Sequence, residues 1–249
     1  MPILSLKNVE FTYPDGRKAI NDVSFDVEPG QCIGLVGANG AGKTTLLLML
    51  PGVLLPAAGE IRVLDIRLDK TSAPTIRRYV GLVFQDSDDQ LFTTSVYEDV
   101  AFGPRNMGLS AADTASAVEN ALAVTGITHL SSRAPYRLSS GEKRLAAIAS
   151  ILSMDPKLII MDEPSSSLDP KARRKLIELL RRMPQTKIIA SHDLDLVWDV
   201  CSRVIVLKEG GVAADGETKT ILSDEKLLDA CGLELPLRLS VNGNSHRRG

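Results

Sequence analysis

The sequence predicts an α/β fold in which an antiparallel β lobe leads into a largely parallel sheet, with a helical subdomain inserted in the α/β core. Three observations carry that expectation. Short, continuous apolar runs at residues 32–36, 157–161 and 187–190 have the length and all-round hydrophobicity of strands buried on both faces of a parallel sheet. The first run passes through a glycine-rich loop into the helix-forming stretch Leu46-Leu47-Leu48-Met49-Leu50. From residue 86 to about residue 150 such runs give way to polar, helix-prone sequence.

Residues 3–28 alternate apolar and polar side chains around the turn Pro14-Asp15-Gly16, as expected of an antiparallel pair. Tyr13 stands just before that turn, where its ring can stack on a nucleotide base or simply pack at a strand end. Next comes Gly37-Ala38-Asn39-Gly40-Ala41-Gly42-Lys43-Thr44, with Thr45 following. Glycines there let the backbone take positive φ and bring N–H groups against phosphate oxygens. A following helix start adds partial positive charge, Lys43 can reach the β and γ phosphates, and the Thr44 hydroxyl can ligate Mg²⁺. The strand, loop and helix order makes nucleoside triphosphate binding the reading to start from, rather than a plain turn that begins a helix.

Residues 59–64 and 79–84 read as further strands, the second ending at Gln85. An acidic loop, Asp86-Ser87-Asp88-Asp89-Gln90, precedes Leu91-Phe92 and helix-prone sequence through Ala101 and over residues 110–124. Leu138-Ser139-Ser140-Gly141-Glu142 opens a helix, Ser139 and Glu142 having capping-box spacing. The run 157–161 ends in Asp162-Glu163-Pro164 and the run 187–190 in Ser191-His192-Asp193. Acid and imidazole at the carboxyl ends of such strands stand where α/β ligands bind. A basic amphipathic helix over 170–182, a hairpin over 204–214 and a final helix over 223–230 complete the chain, and from Asn242 onward the sequence is polar and expected to fray.

With 249 residues and 44% hydrophobic content, one large domain is expected. We place it at 1–241, with the α/β core and its β lobe at 1–85 and 151–216. The helical subdomain then occupies 86–150, a C-terminal helical segment 217–241 and a flexible tail 242–249. A formal net charge of −2 advertises no nucleic-acid partner. Cys32, Cys201 and Cys231 lie far apart and outside any zinc-like spacing, which speaks against a disulfide frame. No signal-peptide core follows Met1, and the longest apolar stretch, residues 46–58, is broken by Pro51, Gly52 and Pro56. Any membrane role is therefore expected to run through a partner.

Taken together, Tyr13, the loop 37–44, Gln85, Leu138-Ser139-Ser140-Gly141-Glu142, Asp162-Glu163, Ser167-Leu168-Asp169 and His192 occur in an order that resembles the ATP-binding cassette (ABC) ATPases over nearly the whole chain. Val83-Phe84-Gln85-Asp86, Asp88-Asp89-Gln90-Leu91-Phe92 and Glu98-Asp99-Val100-Ala101-Phe102-Gly103-Pro104 narrow the likeness to ATPase subunits of energy-coupling-factor (ECF) importers, especially the cobalt or nickel type. The resemblance implies a P-loop NTPase (RecA-like) core and two cassettes that sandwich two ATP molecules head to tail. The nucleotide-binding set would be Tyr13, Gly37, Asn39, Gly40, Ala41, Gly42, Lys43, Thr44 and Thr45, faced by Ser139, Ser140, Gly141 and Glu142 of the other cassette. Thr44, Gln85 and Asp162 would hold Mg²⁺, Glu163 would polarise the attacking water, His192 would contact the γ phosphate, and Asp169 would signal across the interface.

Implied partners are transmembrane ECF subunits, a substrate-binding membrane subunit, and a second copy of the chain or a paralogous ATPase, with the protein peripheral on the cytoplasmic side of the membrane. One departure stands out: the family's usual Leu-Ser-Gly-Gly-Gln is Leu138-Ser139-Ser140-Gly141-Glu142 here, which puts a side chain and a negative charge where backbone is expected to approach phosphate. Residues 88–102 are the expected dock for a membrane partner, the contrary reading being that Phe92 and Phe102 are core. The rival function is a soluble ABC ATPase acting on ribosomes or DNA, which usually carries two cassettes or a long coiled-coil insert.

Overall fold

A computed structural model describes residues 1–243. Two sheets organise it. In chain order the elements are β1 (Leu4–Thr12), β2 (Lys18–Val27), β3 (Cys32–Val36), α1 (Lys43–Met49), β4 (Ala58–Val63), β5 (Ile66–Arg67), α2 (Ala73–Ile76) and β6 (Val80–Val83). Then come α3 (Val96–Asn106), α4 (Ala111–Thr125), α5 (Ser140–Leu152), β7 (Leu158–Asp162), α6 (Pro170–Arg182), β8 (Thr186–Ala190) and α7 (Leu194–Val200). The chain closes with β9 (Arg203–Lys208), β10 (Gly211–Glu217), α8 (Thr218–Leu222), α9 (Glu225–Ala230) and α10 (Leu237–Gly243).

The first sheet has the order β2-β1-β4-β5 and is antiparallel, so the alternation over residues 3–28 becomes a lobe with one buried face. The second has the order β10-β9-β3-β8-β7-β6. Its β3, β6, β7, β8 and β9 run parallel, and β10 adds an antiparallel edge. β7 and β8 are buried at every position, as expected for strands covered on both faces. One core lies between the lobe and the parallel sheet, built around Leu46, Leu47 and Ile61, and a second lies under α6 and α7 around Ile159, Leu176 and Val197.

Helices α3, α4 and α5 share a third cluster of their own, with Val96, Val100, Val118 and Leu122 at its centre. Each begins on a serine cap, Ser95, Ser110 and Ser139, whose hydroxyl accepts a backbone N–H from the first turn. One expectation needs correction at the C-terminal end. The helix read over 223–230 is α9, which starts at Glu225 on an Asp224 cap, but it is not the last, because α10 follows, and α8 precedes it. Of the tail expected over 242–249, Asn242 and Gly243 fall at the end of α10, and residues 244–249 lie outside the described residues.

Candidate active site

Strand β3 delivers the chain to a loop whose glycines are required by the protein itself. A Cβ on Gly37 would run into the Leu207 carbonyl, and one on Gly42 would lie 2.6 Å from the Ala19 carbonyl, where φ is 105°. Gly40 has open space around it but holds φ at 80°. The Lys43 ammonium turns back across this loop, donating to the Gly37 carbonyl at 2.7 Å and the Ala38 carbonyl at 3.2 Å. Burial pushes its pKa below the ordinary lysine value, against the pull of the Glu163 and Asp162 carboxylates.

Those carboxylates come from the end of β7. Asp162 is buried, and burial raises its pKa while the Thr44 hydroxyl, bonded to it, and the Lys43 charge oppose the rise. Glu163 takes φ of 45°, a left-handed conformation that a glutamate seldom adopts and that costs on the order of 1 kcal/mol or more. Its N–H is tied to the Ala190 carbonyl at 2.9 Å. The carboxylate in turn accepts the His192 backbone N–H at 3.0 Å and the Ser191 hydroxyl at 3.2 Å. The His192 ring reaches both partners, its Nε2 lying 3.4 Å from Lys43 Nζ and 3.4 Å from Glu163 Oε1.

A cavity of 520 Å³ opens over this cluster, lined by Asn39, Lys43, Thr44, Gln85, Glu163 and His192 among others. Its lobe side is formed by Arg17, Lys18 and Ala19. Tyr13 stands behind them, its hydroxyl 3.0 Å from Thr45 Oγ1, its edge against Phe11, and the Arg17 guanidinium 4.7 Å above its ring. A base that stacked on Tyr13 would have to use the face Arg17 leaves open or displace Arg17.

The Ser139 segment lies apart from this cavity. Ser139 caps α5, and the Glu142 carboxylate folds back to accept both the Ser139 N–H and its hydroxyl, each at 2.8 Å. These bonds lower the Glu142 pKa. The charge expected to face phosphate is therefore turned onto its own helix start. Ser140 is also committed, its hydroxyl donating to the Ser167 carbonyl at 3.0 Å. Ser167 has φ of 62°, and two residues on Asp169 caps α6, its carboxylate accepting the Lys171 and Ala172 N–H groups at 2.8 Å. A Cβ on Gly141 would come 2.7 Å from Ala172 Cβ, so glycine there lets α5 and α6 meet.

The glycine-rich loop, the buried Asp162, the strained Glu163 and His192 thus meet at the carboxyl ends of the neighbouring parallel strands β3, β7 and β8. The ABC transporter family profile matches residues 20–166. The chain belongs to the ABC transporter family. A Geobacter sulfurreducens protein bearing an ABC transporter ATP-binding name is 50% identical over 95% of both chains. The energy-coupling factor transporter ATP-binding protein EcfA of Methanosphaera stadtmanae is 41% identical over 94% of this chain and 86% of its own. Among solved structures, CbiO1 of Clostridium perfringens, part of the ABC transporter complex CbiONQ, superposes with a TM-score of 0.84 at 36% identity, covering 98% of each chain. A dimeric ATP-binding cassette in a post-hydrolysis state, bound to ADP and Pi, gives 0.77 at 27% identity, covering 86% of this chain and 98% of its own. This chain is thus an ABC ATPase of the ATP-binding type.

Two residues that brace the site, Arg144 and Arg173, carry no signal of that role in the sequence. Arg144, buried on α5, donates to the Phe84 and Gln85 carbonyls at 2.6 Å each, so the backbone that carries Gln85 hangs on the helix begun by Ser139. Gln90, expected at the dock, points inward instead: its amide donates to the Ala147 carbonyl at 2.8 Å and accepts the Phe84 N–H. Leu91 is buried too, whereas Phe92 and Phe102 are 64% and 46% exposed and meet edge to face with ring centres 5.0 Å apart. Arg173 grips Asp193, the residue after His192, through two bonds of 2.6 and 2.8 Å. A charged residue one turn into a helix looks like surface in sequence, and only the packing reveals these contacts. As for metal, Thr44 and Asp162 pair a hydroxyl with a carboxylate beside Gln85, a set of hard oxygen donors suited to Mg²⁺. The raised pKa of Asp162 marks a buried negative charge that a divalent cation would relieve.

Proposed function

We propose that the chain is the ATP-hydrolysing subunit of an ECF-type importer, coupling hydrolysis to uptake of a transition-metal ion, cobalt first and nickel next, or of a vitamin. The observation that carries this reading is the exposed Phe92 and Phe102 pair, set one loop beyond Gln85 and braced from beneath by Asp99, whose Oδ1 accepts the Phe92 and Thr93 N–H groups at 3.0 Å. An apolar pair beside a nucleotide-facing segment is what a coupling contact with a membrane partner needs. Likeness to the energy-coupling factor transporter protein EcfA and to CbiO1 of the CbiONQ transporter complex supports the ECF type, while the choice of metal rests on the sequence resemblance. No helix among the described residues is long and apolar enough to cross a membrane, so attachment to the cytoplasmic face would come through transmembrane ECF subunits and a substrate-binding membrane subunit.

In the proposed cycle Lys43 and the loop N–H groups hold the phosphates. Thr44, Asp162 and Gln85 would hold Mg²⁺, which would supply positive charge to the phosphates. Glu163 orients water and takes its proton, and His192 steadies the γ phosphate beside Lys43. Ser139 and Gly141 complete the site of a second copy, or of a paralogous ATPase, with Asp169 at the seam. Arg144 carries closure at the Ser139 segment to Gln85 and on to the aromatic pair.

Crosslinking tests the dock. Cysteines at Phe92 and Thr94, both exposed, should bond to a cysteine-bearing membrane partner co-expressed with the chain, in a nucleotide-dependent way. Failure in every nucleotide state would remove the importer assignment and favour a soluble role on ribosomes or DNA.

A further inference from the structure

The three cysteines are scattered in sequence, yet the fold brings two of them face to face, at a position the nucleotide chemistry leaves unused. Cys32 opens β3 and Cys201 ends α7, and their sulfurs lie 3.6 Å apart. The backbones are already joined at that point: Ser202 donates its N–H to the Cys32 carbonyl at 3.0 Å, and the next residues, Ile33 and Arg203, are paired between β3 and β9. Two cysteine positions this close can be bridged by side-chain rotation with little movement of the chain.

Access and activation are divided between the two thiols. Cys32 is half-buried and Cys201 is buried, so a small oxidant reaches the pair from the Cys32 side. Lys187, the residue paired with Cys32 across β8, keeps its buried ammonium on the Met183 and Gln185 carbonyls at 2.6 and 2.8 Å. The Cys201 S–H and that nearby positive charge both favour a thiolate on Cys32. Cys231 is buried too, in the apolar cluster that also holds Cys201, but the close sulfur pair is that of Cys32 and Cys201.

We propose that Cys32 and Cys201 are a redox modification site that hydroperoxides convert to an intrachain disulfide. The Cys32 thiolate attacks one peroxide oxygen, so an S–O bond forms, the O–O bond breaks and the departing oxygen takes a proton to leave as water or an alcohol. Cys201 then attacks the sulfenic sulfur of Cys32. The S–S bond forms, the S–O bond breaks, and the hydroxyl leaves as water with the Cys201 proton. Together the sulfurs lose two electrons and the peroxide gains them, and a dithiol reductant reverses the change. The bridge would join residues 169 apart. It would tie the strand that feeds the phosphate loop to the helix that follows His192, and so restrict unfolding of everything between.

The test uses the purified full chain, reduced, then treated with hydrogen peroxide and with reactive thiols blocked afterwards. Intact mass should fall by about 2 Da, two hydrogens, and a tryptic map should contain a Cys32 to Cys201 bridge. The thermal midpoint should rise by roughly 5–10 °C and return with dithiothreitol. Cys32→Ser and Cys201→Ser should each abolish bridge and shift, whereas Cys231→Ser should keep both, which guards against a variant that merely misfolds. Unreacted thiols, a gain of one or two oxygens that stays on Cys32, a bridge to Cys231 or a bridge between chains would each overturn the proposal.

Discussion

Glu163 accepts the backbone N–H of His192 with both carboxylate oxygens, at 3.0 and 3.1 Å. That contact fixes the carboxylate at the junction of β7 and β8 and holds one oxygen within 3.4 Å of the His192 ring. Glu163→Gln keeps an acceptor for the same N–H and removes the base. It is expected to bind Mg·ATP as the wild type does and to release phosphate about 10²- to 10⁴-fold more slowly. Near-wild-type phosphate release would take Glu163 out of the chemistry.

Glu142 caps Ser139, and this lowers its pKa beneath the ordinary 4.5. A carboxylate with a depressed folded-state pKa adds stability that is fully present above the unfolded value and is lost as pH falls through the folded one. Glu142→Gln cannot titrate. The stability gap between wild type and this variant should therefore shrink on going from pH 6 to pH 3, by under about 1 kcal/mol because the carboxylate faces solvent. Urea denaturation across that range reads it, and a gap that widens toward acid would refute the assignment.

Arg144 supplies donors to two carbonyls that have no helix to satisfy them. Arg144→Met should cost about 2–4 kcal/mol in denaturant unfolding, because both acceptors lose a charged donor inside the protein. It should also lower turnover more than nucleotide affinity, since Gln85 loses its support while the Lys43 loop is untouched. Unchanged stability, or a loss confined to affinity, would contradict this role.

What the sequence made legible follows from the range of the interactions involved. Strands such as β7 and β8 and the loop before Lys43 announce themselves because local pattern and backbone chemistry decide them. The reason given for the loop glycines was incomplete: Gly37 and Gly42 are demanded by the carbonyls of Leu207 and Ala19, residues far off in the chain. In the sequence Gln90 reads as part of a polar loop at the dock, Arg173 as one charge of a basic helix and the Ser140 side chain as an obstacle to phosphate, while Arg144 carries no signal. Their partners, Ala147, Phe84, Gln85, Asp193 and Ser167, are set by tertiary packing, which spacing in one sequence does not encode. Even the positive φ of Glu163 has no residue-type signal, because glycine is the residue that would have marked it.

If each site draws its phosphate loop from one copy and its Ser139 segment from another, defects in the two halves should complement. Lys43→Ala and Ser139→Arg are each expected to be inactive. In an equal mixture half the dimers are mixed and each of these has one sound site, so up to roughly a quarter of wild-type ATPase activity should return. Recovery absent at every mixing ratio would mean either that both halves of a site lie in one chain or that the two sites fire only together.

Of the two partners proposed for the composite site, a second copy of this chain is the one we favour, and the mass of Glu163→Gln in solution decides it. Multi-angle light scattering should give a monomer without nucleotide and a dimer with saturating Mg·ATP, and adding Lys43→Ala to Glu163→Gln should abolish the shift. A monomer at every ATP concentration, with nucleotide binding intact, would contradict the account.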